Sequence, residues 1–137
     1  MTTLGPRTTP YDLIGGEEPT RELVRHFYAR MAQEEDALAR LHELDENGRI
    51  SARTQERFGL FLIEWLGGPR RFSESFGHPR LRMRHAHVLV TVAMRDAWMR
   101  SMRGAFDDLG LHGDVRDFLD GKLADLADFL RNVPESP

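Results

Sequence analysis

The chain has 137 residues, with 22 acidic residues against 18 Arg and a single Lys, 6 His, no Cys and a formal net charge of −3. That length suits one domain of the usual roughly 100–200 residues, and a composition 40% hydrophobic and 30% charged is globular, not disordered. The absence of Cys excludes disulfides, thiolate-ligated zinc, iron–sulfur clusters and thiol nucleophiles.

Residues 1–10 read as a loose tail containing Pro6 and Pro10, without a signal-peptide apolar stretch. Gly15-Gly16 breaks a short first element, and Pro19 suits the first turn of a helix over about 19–33. Leu23, Val24, Phe27, Tyr28 and Met31 recur there at three-to-four spacing. Residues 34–42 are expected as a short helical corner, and Asp45-Glu46-Asn47-Gly48 as a turn. Ser51 can cap a helix whose stripe is Thr54, Phe58, Phe61, Leu62 and Trp65, stopped by Gly67-Gly68-Pro69.

Residues 70–78 read as mostly loop, followed by a short helix near 79–86. His87 to Val92 is rich in β-branched residues, but no strand partner is evident, so an extended connection enters a helix near Thr91. That helix carries Met94, Trp98, Met102, Ala105 and Leu109, with Gly110 at its end. A last helix shows Val115, Phe118, Leu119, Leu123, Leu126, Ala127 and Leu130 on one stripe. The sum is an all-α chain of four main and three short helices. No apolar run approaches the roughly 18 residues of a membrane span, so a cytoplasmic protein without a membrane partner is expected.

The net charge conceals three blocks. Residues 1–69 carry −4, residues 70–103 carry +6 and residues 104–137 carry −5. A cationic middle between acidic ends points to an anionic guest. Arg70, Arg71, Arg80, Arg82 and Arg84 surround His85. They read as a solvated face, as a strip for RNA or an acidic partner, or as neutralisers of a ligand's carboxylates or phosphates. The overall negative charge weighs against nucleic acid. A zinc set of His78, His85 and His87 is poorly formed, because His87 points elsewhere and no acidic residue completes it. Tyr28, Trp98 and His42 are polar-tipped rings. Such rings are more often core than function, but three converging on one pocket would bind an electron-rich small ligand.

The run Gly67-Gly68-Pro69, then Gly77-His78-Pro79-Arg80-Leu81-Arg82-Met83-Arg84-His85-Ala86, resembles the segment through the proximal His of the truncated haemoglobins. Tyr11-Asp12-Leu13-Ile14-Gly15-Gly16 resembles that family's N-terminal turn, and Phe27-Tyr28 its second-helix aromatic pair. Arg95-Asp96-Ala97-Trp98 resembles the Trp-bearing helix of the group II subfamily. The likeness spans residues 11–131, leaving 132–137 as a C-terminal tail. It implies a truncated globin fold, helices packed two-over-two around haem b. It implies His85 as the iron ligand through Nε2, with its other ring nitrogen donating to a carbonyl. Tyr28, Trp98 and His42 match distal positions, the last with one residue inserted in the 34–42 corner. Thr54 and Phe58 match distal positions on the Ser51 helix, with Thr54 small enough to leave a side entrance. Arg57 and Arg84 fit propionate partners, and Phe58, Phe61, Leu81 and Phe72 fit haem-lining positions. Relatives often continue His-Ala with Pro-Phe, where this chain has His87-Val88.

The resemblance further implies reversible binding of O₂ and other diatomics such as NO and CO. Bound O₂ carries partial negative charge, so each donor holds it, a bond to a charged acceptor being worth roughly 1.5–3 kcal/mol. Retention that tight suits oxygen transport poorly and suits NO oxidation or peroxidase-like turnover better, with an unidentified electron donor. Some relatives are homodimers. The competing expectation is a helical interaction module using residues 70–84 on an acidic partner or RNA.

Overall fold

The computed structural model describes residues 9–86, 88 and 90–132. The expectations for residues 1–8, 87, 89 and 133–137 lie outside the described residues. Among those described there are eight helices: α1 (Pro10–Ile14), α2 (Glu17–Glu34), α3 (Asp36–Ala39), α4 (Ala52–Trp65), α5 (Arg71–Phe76), α6 (Leu81–Arg84), α7 (Val92–Asp108) and α8 (Gly113–Phe129). The only pairing of extended backbone among them is one antiparallel bridge, Leu44 to Ile50.

Local chemistry sets the long helices. Ser51 accepts the Thr54 backbone N–H at 3.2 Å to start α4, and Thr91 accepts that of Met94 at 3.1 Å to start α7. Such caps are typically worth about 1 kcal/mol each. Contacts also form near both ends of the described residues. Thr9 forms a reciprocal capping box with Asp12, and Asn132 hydrogen-bonds Val90.

The core gathers on α2. Leu23, Val24, Phe27, Tyr28 and Met31 are all buried, as their spacing predicts. Burying one Leu- or Phe-sized side chain contributes about 1.5–3 kcal/mol. α2 packs on α4 and on α7, and α7 packs on α8 through Met102, Ala105 and Phe106 against Leu119 and Leu123. The four long helices therefore form two pairs, α2–α4 and α7–α8, joined across α2 and α7. This is the two-over-two arrangement. Among the described residues, α6 has no comparable backbone packing against another helix.

Two sequence expectations are corrected. Residues 70–78 are not mostly loop, because Arg71–Phe76 is helical. The Ser73 backbone N–H donates to the Glu64 carboxylate at 2.9 Å, and the Ser73 hydroxyl donates to it as well. Those bonds hold the Glu64 carboxyl below its usual range, while Phe72 is buried against Phe61. Both partners lie on α4, outside the local window. Phe118, expected on the buried stripe of α8, is 44% exposed and lies under the Lys122 ammonium.

Close approach at the α4 terminus gives a test. A Cβ on Gly68 would fall 2.8 Å from the Tyr11 ring and 2.9 Å from the Ile63 carbonyl oxygen. A Cβ on Gly121 would meet nothing within 4 Å. Gly68→Ala should destabilise by about 1–3 kcal/mol, the usual cost of overpacking. Gly121→Ala, inside α8, should stabilise by about 0.5–1 kcal/mol. Denaturant unfolding of the two variants reads the opposite signs directly.

Candidate functional site

Rings run in contact from the end of α5 to α7. Phe76 meets Phe72 at 5.0 Å between centroids, Phe72 meets Phe61 at 5.8 Å, and Phe61 stacks on Phe58 at 6.2 Å. Phe58 then meets Tyr28 at 5.8 Å and Trp98 edge-on at 6.2 Å. Phe27 lies between, 4.8 Å from Tyr28 and 5.0 Å from Trp98. His42 closes the group with its ring edge-on to Tyr28 at 5.8 Å. The expected distal set of Tyr28, His42, Phe58 and Trp98 is thus one cluster drawn from α2, the α3 corner, α4 and α7. Thr54 stands half-buried on the first turn of α4, and its hydroxyl accepts from Ser51 Oγ at 3.1 Å.

Two donors in this cluster have no partner among the described residues. The Tyr28 hydroxyl makes no hydrogen bond, although the residue is 5% exposed. The Trp98 indole N–H makes none either. No fully sealed side-chain N or O lacks a partner, so both tips open onto accessible space. Burial pushes the Tyr28 phenol well above its ordinary value, which keeps the hydroxyl protonated and able to donate.

His42 is a different case. Its Nδ1 lies 3.0 Å from the Leu38 carbonyl oxygen. A carbonyl can only accept, so Nδ1 carries the proton and Nε2 of the neutral ring is a lone pair. Burial lowers the His42 pKa, opposed by the Leu38 and Ala39 carbonyls and assisted by the charge of His85. That last effect places the two His rings within electrostatic reach of one another.

His85 caps the C-terminal end of α6 and is half-buried. Its Nδ1 lies 2.7 Å from the Leu81 carbonyl oxygen, four residues back. The same logic makes Nδ1 the donor and leaves Nε2 as the free, basic nitrogen. Arg57 and Arg84 are exposed and enter no ion pair among the described residues. The Arg57 guanidinium sits 4.8 Å over Phe76, and Arg84 sits 5.7 Å over Phe72 while donating to the Pro79 carbonyl. Two further Arg of the cationic block are engaged elsewhere. Arg71 pairs with Glu17, and Arg82 lies over Phe129 at 3.9 Å.

The donor set suits the haem that the resemblance implies. No group of three or more His, Asp or Glu among the described residues could hold a bare metal ion. One imidazole with a fixed tautomer can hold a metal already carried by a macrocycle. Apolar rings can line the flat faces, two uncommitted Arg can meet its carboxylates, and two free donors can meet a ligand. Phe61 and Phe72 are fully packed side chains, whereas Leu81 is half-buried. Sequence reasoning missed Asn132, whose side chain reaches the backbone at His85. No local periodicity could have revealed a contact spanning 47 residues.

The pattern of the bacterial-like globins matches residues 9–132. The group 2 truncated haemoglobin YjbI of Bacillus subtilis is 39% identical over 93% of this chain and 91% of its own. The group II truncated haemoglobin of Bacillus anthracis superposes with a TM-score of 0.84 at 35% identity, over 93% of this chain and 99% of that one. The truncated oxygen-avid haemoglobin of Bacillus subtilis gives 0.82 at 37% identity, over 91% and 100%. Fold, ring cluster and these likenesses converge: the chain belongs to the bacterial-like globins as a group II truncated haemoglobin, a haem protein that binds diatomic ligands such as O₂.

Proposed function

We propose that His85 is the axial ligand of haem b through Nε2, and that Tyr28 and Trp98 hydrogen-bond the diatomic ligand opposite it. One observation carries this reading: a ring cluster presents two uncommitted donors, and the chain also holds a His whose tautomer is fixed for coordination. Haem supplies an iron whose sixth position is open to a diatomic molecule. The protein supplies the rest. Leu81 holds the imidazole orientation, Phe58, Phe61, Phe72 and Leu81 exclude water from the faces, and Arg57 and Arg84 meet the propionates. Thr54 marks the lower-bulk side of the distal wall, where a ligand enters.

His42 changes role relative to the sequence expectation. In its neutral form it cannot be a third donor, because its proton is held by Leu38. Its Nε2 lone pair instead competes for the Tyr28 proton. Two donors remain, enough to hold O₂ strongly. Strong retention favours redox work over delivery: conversion of NO to nitrate, or turnover of peroxide, with an external reductant resetting the oxidation state. The oxygen-avid relative from Bacillus subtilis is in keeping with this. A cytoplasmic setting would supply such a reductant.

Three outcomes are expected. His85→Ala should abolish or strongly alter the haem absorption band; an unchanged spectrum, or a well-folded wild type that stays colourless when made with haem available, overturns the assignment. Tyr28→Phe or Trp98→Phe should each speed O₂ dissociation by roughly tenfold or more, the loss of one bond to a charged acceptor. Stopped-flow displacement by CO measures this. His42→Phe should leave O₂ dissociation unchanged or slower, since Tyr28 is freed to donate. A faster rate would make His42 a donor after all.

A further inference from the structure

We propose that Asn132 is a positioning residue for the His85 ring, acting through the His85 backbone; the proposal rests on His85 being the axial ligand. α6 is a single turn of four residues, Leu81–Arg84, too short to hold its own geometry. It starts at Arg80, a non-glycine residue with φ of +49°, and has no side-chain cap. Both polar contacts on the N-terminal side of His85 go to one group: its backbone N–H at 3.1 Å and its Nδ1 at 2.7 Å both reach the Leu81 carbonyl.

Asn132 takes hold from the opposite side. Its Nδ2 donates to the His85 carbonyl at 3.3 Å and to the Val88 carbonyl at 2.8 Å. Its Oδ1 accepts from the Val90 N–H at 2.7 Å, and its own N–H donates to the Val90 carbonyl at 3.1 Å. A side-chain amide offers two N–H donors and a carbonyl acceptor in one plane, and all three roles are used. His85 is therefore pinned at its N–H and at its carbonyl, which fixes the Cα–Cβ direction and hence the approach of Nε2. A neighbouring tie reinforces the link, with Arg82 Nε donating to the Phe129 carbonyl at 3.2 Å. The end of α8 thus serves as the anchor that α6 lacks.

Asn132 is exposed, so its variants should fold. Asn132→Asp keeps the acceptor for Val90 but loses both donors; Asn132→Ala loses all three. The readouts are the iron–imidazole stretch by resonance Raman in the ferrous protein and the rate of haem transfer to excess apomyoglobin. Both variants should shift or broaden the stretch and speed haem transfer about fivefold, the worth of one net hydrogen bond. Thermal unfolding should stay close to wild type. If Asn132→Asp matches wild type while Asn132→Ala does not, the residue merely anchors the chain end and the proposal fails. It fails equally if neither variant moves the stretch. His85→Gly supplied with free imidazole separates the two readings. There the ligand is untethered, so adding Asn132→Ala should cause no further shift, and a further shift overturns the proposal. If His85→Gly without imidazole keeps the wild-type stretch, the axial-ligand reading itself is wrong.

Discussion

The hydrogen bond from His85 Nδ1 to the Leu81 carbonyl, at 2.7 Å, is the constraint on which the site depends. It decides which ring nitrogen carries the proton, and so which one can bind a metal. The geometry is a four-residue backward reach along a helix, the same reach that joins His42 Nδ1 to the Leu38 carbonyl. One local device therefore sets two His rings in the same tautomer with opposite consequences. At His85 it frees a basic nitrogen for coordination. At His42 it removes the proton that a distal donor would need. The carbonyl four positions back makes these residues alike in tautomer; their surroundings, a buried ring cluster for His42 and the end of α6 for His85, make them different.

The second constraint is energetic. Burying a hydroxyl or indole N–H without a partner costs on the order of 1–3 kcal/mol in proteins. Tyr28 and Trp98 escape that penalty because neither polar tip is sealed from accessible space, while Phe27 lies fully buried between their rings. A cluster selected for packing alone would place Phe at both positions. The rings pack into the cluster while their polar tips stay accessible and uncommitted, so packing and hydrogen-bond donation use different edges of the same side chains.

The long helices were legible in the sequence because their causes are local. The three-to-four spacing of Leu23 to Met31, and the caps Ser51 and Thr91, act within a few residues. The aromatic positions were legible for the same reason, as they stand on those stripes. What escaped depends on distant partners. α5 forms where Glu64 meets Ser73 and Phe72 meets Phe61. The reach of Asn132 into the His85 backbone spans 47 residues. The tautomer of His42 needs the position of one carbonyl. Phe118 fits the stripe of α8 by period, but α7 covers only the side of that stripe holding Leu119 and Leu123.

The three charge blocks resolve into two uses. On α7 the Arg residues face acidic partners from the flanking blocks: Arg100 meets Glu35 at 2.8 Å, Arg103 meets Asp120 at 2.7 Å and Arg95 meets Asp128 at 2.6 Å. Arg30 and Asp108 repeat the pattern with the signs exchanged, across α2 and α7. Exposed pairs of this kind contribute about 0–1 kcal/mol each, so their main effect is on register. They penalise misalignment of α7 against α2, α3 and α8 more than they deepen the native state. That stitching accounts for the Arg residues from 95 to 103 without any guest. Arg57 and Arg84 make no close ion pair among the described residues and lie over the Phe76 and Phe72 rings. Their guanidinium groups rest on ring faces instead, where cation–π attraction supplies part of what an ion pair supplies elsewhere. The Arg residues of α7 are therefore scaffold, tied to carboxylates on neighbouring elements, whereas Arg84 on α6 is held by a backbone carbonyl and a ring face.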